Sequence, residues 1–108
     1  MSRLFFDHLI NINQLQSQID QLETTEEELY QLHQQIDELI QQRVVEVILD
    51  LLHQDHHHIF ISYLHQNPAD TRILIWLKQH IQDVESQIQQ TIQDLEQELI
   101  QEIFISRE

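Results

Sequence analysis

Apolar residues recur every three or four positions through the last third of the chain. The steps are 4, 4, 3, 4, 4, 3, 4 and 4 residues, a pattern that repeats every eleven residues. Eleven residues in three turns predict a nearly straight amphipathic helix over about 69–105. The stripe comprises Ile73, Leu77, Ile81, Val84, Ile88, Ile92, Leu95, Leu99 and Ile103.

The length of this helix leaves two alternatives for its shape. Residues 69–105 would span about 55 Å as one helix, whereas a compact domain of this size is roughly 35 Å across. Either the molecule is elongated, or the helix bends near Gln82 and Asp83. Asp83 suits the cap of a new helix at that point.

The first half of the chain predicts two amphipathic helices. Residues 4–22 carry apolar side chains at helical spacing. Thr25 followed by Glu28 is a capping box, which predicts a break near Thr24 and a second helix over 26–53. A single unbroken helix is the alternative, since a seven-residue apolar repeat continues across the threonines. That repeat consists of Leu15, Leu22, Leu29 and Ile36.

The middle of the chain predicts a buried segment followed by a short helix. Residues 44–52 are apolar nearly all round, which is typical of a buried helix. Residues 59–64 could form a strand, but no second strand is available to pair with it, so we expect a short helix over 55–66. Asn67 and Pro68 suit the cap and first position of a further helix from 68.

Together these elements predict an all-α protein of four or five helices, forming one domain over 1–108. An N-terminal amphipathic helix occupies 1–23, the core occupies 26–81 and a long C-terminal helix occupies 83–105. The compact core is expected from 44–52, 59–64 and 73–81.

The amino-acid composition argues against several classes of function. The 108 residues include no glycine and no cysteine, which argues against phosphate-cradling loops, disulfides and thiol catalysis. Five Lys and Arg against 19 Asp and Glu give a formal charge of −14, so direct contact with nucleic acid or anionic lipid is not expected. We find no signal-peptide core and no membrane-spanning run, and expect a soluble cytoplasmic protein.

Candidate chemistry is sparse. His53 and His57 are four residues apart and, with Asp50, are the candidates for a metal site, although surface or junction roles are the more common interpretation. No catalytic constellation, cofactor motif or metal-ligand repeat is present in the sequence, so we expect a protein that is not an enzyme. The acids of the last helix, among them Glu96 and Glu98, are assigned to its exposed faces.

Two other side chains have alternative interpretations. Trp76 lies in an apolar run and is expected in the core rather than in a ligand platform. Arg43 borders the apolar block of the second helix. It either extends its cation to solvent or pairs with an acid of another helix.

One stretch of the chain resembles a known family. QRVVEVILDLL at 42–52, NPAD at 67–70 and LIWLKQHI at 74–81, within about 36–99, are similar to small all-helical proteins of unknown function that are common in candidate-phyla bacteria. Members of that family usually carry a proline before the terminal helix, where this chain has Gln82. The resemblance implies an all-helical protein that is not an enzyme, and it implies no site residues.

The pattern therefore favours a helical interaction or oligomerisation module. If the helices over 4–22 and 26–53 both pack along the C-terminal stripe, the monomer closes on itself. If either diverges, Ile92, Leu95, Leu99 and Ile103 form an exposed row suited to a homodimer or a partner helix. The alternative is an acidic inhibitor or nucleic-acid mimic, similar to anti-CRISPR proteins or antitoxins, that binds a basic protein.

Overall fold

The structure, a computed structural model, describes residues 4–102, and every regular element in that range is helical. This confirms the all-α class and the expected number of helices. No helix in residues 4–102 combines the length and apolar content needed to cross a membrane. The helices are α1 (Asn13–Asp20), α2 (Glu26–Leu51), α3 (His57–Gln66), α4 (Arg72–His80) and α5 (Val84–Ile100), with 3₁₀ turns at Asp7–Leu9 and Gln54–His56.

Helix α5 organises the core. It packs against α2, α1, α4 and the 3₁₀ turn at Asp7–Leu9. Its share of the eleven-residue stripe is buried, as the apolar period predicts. The molecule measures 46 × 23 × 19 Å with a radius of gyration of 15.3 Å, against about 13 Å for a compact domain of 100 residues. It is therefore elongated. The buried stripe residues of α5 are Val84, Ile88, Ile92, Leu95 and Leu99.

A break at 81–83 divides the C-terminal stripe between α4 and α5. Asp83 has φ 55° and ψ 36°, the left-handed region. The chain contains no glycine, and aspartate is one of the few other residues that adopt this conformation readily. The alternative of a bend near Gln82 and Asp83 is thus correct, although the Asp83 side chain makes no capping hydrogen bond.

One of the two bonds of the predicted capping box is present at the start of α2. Thr25 is the N-cap, and its side-chain oxygen accepts a hydrogen bond from the Glu28 backbone N–H at 3.1 Å. The Glu28 carboxylate accepts a hydrogen bond from the Thr24 hydroxyl. The chain therefore breaks before Glu26, and the alternative of one continuous helix is wrong.

The prediction of a helix over 4–22 is wrong for its first half. Phe5 and Phe6 are both buried, with ring centroids 5.1 Å apart, and Phe5 also meets Phe60 of α3 edge to face at 6.3 Å. The Phe5 N–H donates to the Pro68 carbonyl at 2.7 Å. Neighbouring residues on a helix point about 100° apart, so burying both rings in one core favours turns over a continuous helix.

Helix α4 begins later than predicted. The side chain of Asn67 accepts from the Ala69 N–H at 3.2 Å, and that of Asp70 accepts from the Arg72 N–H at 2.9 Å. Such local side-chain bonds compete with helical bonding. The helix therefore starts at Arg72 rather than at Pro68.

The apolar run over 44–52 is buried on one side only, which corrects the expectation of burial all round. Val44, Ile48 and Leu52 are in the core, while Leu51 remains 42% exposed. The reason is that α2 lies at the side of α5, so one face of this helix meets the core.

A buried carboxylate joins α5 to α1. Glu96 is 5% exposed, and its Oε2 accepts a hydrogen bond from the Leu15 N–H at 3.1 Å. The N-cap of α1 is Ile12, which has no side-chain acceptor, so Glu96 serves as the cap from another helix. Assigning Glu96 to an exposed face is therefore wrong.

Candidate functional site

The residues expected to form an exposed interface row lie inside the monomer. Ile92, Leu95 and Leu99 are 1%, 2% and 6% exposed, because both α1 and α2 pack along α5. The structure thus takes the closed alternative, and these three side chains are not available to a partner. Ile103 lies outside the described residues.

The candidate metal ligands do not share one helix face. His53 follows the end of α2, and its Nδ1 accepts from the Asp55 N–H at 3.1 Å. His57 begins α3, with its Nε2 2.9 Å from the Leu52 carbonyl oxygen. Asp50 remains on α2. Within residues 4–102, no three histidine, aspartate or glutamate side chains are placed to hold a metal ion.

The most distinctive surface is formed by α3, α4 and the turn before α3. The Trp76 ring lies 4.5 Å from the His80 ring and 5.7 Å from the Tyr63 ring, measured between centroids. The His56 and His80 rings are 4.4 Å apart. We refer to this surface as the aromatic–histidine face, comprising His56, Ile59, Tyr63, Ile75, Trp76 and His80.

Three of the six exposed large apolar side chains in residues 4–102 lie on this face, and the other three, Tyr30, Leu39 and Leu51, lie on α2. Ile75 is 57% exposed, Ile59 is 40% exposed and Tyr63 is 39% exposed. Ile59 and Tyr63 are four residues apart and therefore share one side of α3. Trp76 is half-buried and packs against the core. The prediction that Trp76 is a core residue is thus correct only in part.

A groove of about 540 Å³ runs between α3 and α4 beside these rings. At its edge, the Arg72 guanidinium donates to both carboxylate oxygens of Asp70 at 2.8–3.1 Å. These bonds lower the pKa of Asp70 and raise that of Arg72, so the pair remains ionised at neutral pH. The groove is lined by Tyr63, Gln66, Asn67, Asp70, Arg72, Ile73, Ile75, Trp76 and Gln79.

The formal charge is distributed unevenly between the segment that carries the aromatic–histidine face and the rest of the chain. Residues 53–82, which we call the neutral segment, contain two acids, Asp55 and Asp70, and two bases, Arg72 and Lys78. The whole formal charge of −14 therefore lies on the remaining residues. The neutral segment also holds six of the eight histidines.

Ion pairs join the neighbouring helices. Arg43 of α2 lies 3.0 Å from Glu98 of α5, so of the two alternatives for Arg43 the structure takes the ion pair with another helix. Lys78 of α4 lies 2.8 Å from Glu85 of α5, and this hydrogen bond is the main reason that the pKa of Glu85 is lowered, with His8 contributing less. Both pairs are about half exposed, so each adds less than about 1 kcal/mol to stability.

The aromatic–histidine face was not identified from the sequence, although part of its signal is present. Trp76 and His80 are four residues apart, which places them on one side of a helix. The contacts of Trp76 and His80 with His56 depend on how α3 and α4 pack against each other. No local sequence pattern encodes this packing. An exposed aromatic surface beside a groove is suited to binding.

Comparison with known proteins identifies no relative: no family model, curated protein or solved structure matches this chain. The resemblance to small helical proteins of candidate-phyla bacteria stays a prediction.

Proposed function

We propose that this protein is a non-enzymatic helical interaction module that self-associates through the aromatic–histidine face. The observation that carries the proposal is the coincidence of exposed aromatic and aliphatic side chains with the neutral segment of a strongly acidic chain. The occupant that we propose for the face is a second copy of the chain.

The side chains of the face are those that protein interfaces favour. Tryptophan and tyrosine are enriched in interfaces because they bury large areas at low entropic cost. Tyr63, Ile75 and Trp76 all border the same groove. A second copy would supply the same side chains across a two-fold axis, which is the most common arrangement of soluble oligomers.

Charge favours this face over other surfaces for contact between identical copies. Two chains of formal charge −14 repel each other wherever their acidic helices meet. The neutral segment carries a formal charge of zero. Contact through it brings together two surfaces without net formal charge instead of two acidic helices.

Replacing Ile75 with glutamine tests the face. Ile75 is 57% exposed. Burying this exposed part of the side chain in an interface is worth about 1–1.7 kcal/mol per copy. The substitution occurs twice in a symmetric dimer, so the Kd is expected to rise roughly 20- to 300-fold. Sedimentation equilibrium gives this constant. Trp76, the only tryptophan, reports on the same surface by a concentration-dependent shift of its emission.

Leu39→Gln is the matched control. Leu39 is an aliphatic residue of α2, 38% exposed and outside the neutral segment. This variant should dimerise with the Kd of the unmodified protein. A monomeric mass for the unmodified protein at high micromolar concentration, or equal weakening by both substitutions, would contradict the proposal.

A second candidate function is an acidic decoy that binds a basic protein in place of nucleic acid. The charge distribution favours this candidate, because the entire formal charge of −14 lies on residues outside 53–82. Such binding would use the acidic helices and leave the aromatic–histidine face unoccupied.

The salt dependence of binding tests the decoy. Phosphate-like contacts weaken steeply between about 50 and 200 mM salt, so competition with duplex DNA for a basic DNA-binding protein should weaken over the same range. Ile75→Gln should leave this competition unchanged. Competition that is absent at low salt, or that does not vary with salt, would reject this candidate.

A further inference from the structure

We propose that the association of two copies is sensitive to acid, because protonation of the histidines at the aromatic–histidine face drives the copies apart. This inference rests on the proposed self-association and describes the regulation of the same surface.

The geometry places histidines in contact with one another. The His56 and His80 rings are 4.4 Å apart, and the His53 ring lies 6.2 Å from that of His56. Trp76 touches both His56 and His80. Neutral imidazoles pack against each other and against an indole without electrostatic cost. Two imidazolium ions at this separation repel each other, and four of them meet when two copies associate through the face.

Within residues 4–102, no ion pair joins a carboxylate to His56 or His80, and the one carboxylate paired with a histidine of the cluster is Asp55. Asp55 is 3.5 Å from His53, while Lys78 is already paired with Glu85. Other titratable or charged groups on the elements that border the cluster include Asp50, His57, His58, Tyr63, His65, Asp70, Arg72, Asp83 and Glu85.

The nearby paired carboxylates do not titrate in the relevant range. Hydrogen bonds from Arg72 and Lys78 lower the pKa of Asp70 and Glu85, respectively. Both carboxylates therefore stay ionised from pH 7.5 to 5.5, and their stabilising contribution is lost only in more acidic solution. A change in affinity within this range therefore does not come from these two carboxylates.

The sign of the response separates this inference from general electrostatics. Protonating all eight histidines reduces the formal charge of the chain from −14 to −6. On that basis alone two copies should associate more tightly in acid. The formal charge of the neutral segment alone rises from zero to +6, because this segment holds six histidines. Its net charge therefore grows while that of the whole chain shrinks. Repulsion between two such surfaces should weaken the dimer.

The experiment measures the dimer Kd at pH 7.5 and pH 5.5 by sedimentation equilibrium. For the unmodified protein, Kd is expected to rise by about tenfold or more at pH 5.5. In the double variant His56→Gln and His80→Gln, the dimer should form at pH 7.5 and lose much less affinity at pH 5.5 than the unmodified protein does, since four of the six histidines of the neutral segment remain. His33→Gln, on α2 outside the face, should retain the full response.

The outcomes distinguish the two proposals. A monomer at both pH values overturns the self-association itself. A dimer that is unchanged or tighter at pH 5.5 overturns only the acid sensitivity. Circular dichroism at both pH values completes the test. A loss of helix at pH 5.5 would mean that unfolding weakens the dimer, and it would also overturn the proposed acid sensitivity.

Discussion

Replacing Ile92 and Leu99 together with aspartate is expected to unfold the protein rather than to separate two copies. Both side chains are buried between α5 and the helices packed on it, at 1% and 6% exposure. Burying an unpaired charge is among the changes that cost more than about 4 kcal/mol each. A domain of this size is stable by only about 5–15 kcal/mol. Two such changes remove most or all of that stability.

Circular dichroism and light scattering measure the outcome. Ser86→Asp with Gln87→Asp is the matched control, because it adds two charges to exposed positions near the start of α5. The control should remain helical. If the Ile92 and Leu99 variant stays folded and only its mass falls, the stripe is an interface after all and the packing described here is wrong.

Sequence pattern predicts those elements whose signals are local or strongly periodic. The Thr25 and Glu28 capping box lies within one helical turn, and one of its two bonds is present as expected. The eleven-residue stripe predicts burial along the length of α5 because each apolar residue falls on one side of a helix. The break at Asp83 was one of two alternatives, since a chain without glycine gives only a weak local signal there.

Elements fixed by tertiary contacts were not predictable from the pattern. The spacing of Phe5 and Leu9 is that of a helix, yet burying Phe6 beside Phe5 against Phe60 favours turns. Pro68 is a common first residue of a helix. Here its carbonyl accepts from Phe5, and local bonds delay α4 to Arg72.

The candidate site was missed for the same reason. His53 and His57 have the spacing of a metal site only if one helix contains both, and α2 ends at Leu51. The structure instead brings together His56 and His80, which are 24 residues apart in the sequence. Two residues so far apart in the sequence produce no periodic pattern that would predict their contact.

Removing the Glu96 carboxylate should weaken the junction of α1 and α5. Glu96→Ala leaves the Leu15 N–H without its acceptor inside the protein, since Ile12 offers no cap. An unsatisfied buried donor and a lost charged hydrogen bond cost about 2–3 kcal/mol. The carboxylate also lies at the positive end of the α1 dipole, and that contribution is lost with it. A melting temperature lower by roughly 9–13 °C is expected.

Two further variants and one local measurement make this prediction specific. Glu96→Gln keeps an acceptor oxygen and should cost only about 1 kcal/mol. Glu98→Ala removes a neighbouring, half-exposed carboxylate paired with Arg43 and should cost less than about 1 kcal/mol. Hydrogen exchange followed by NMR should show faster exchange of the Leu15 amide in Glu96→Ala, before that of the α2 amides. Equal stability of Glu96→Ala and Glu98→Ala would mean that the buried carboxylate does not act as the cap of α1.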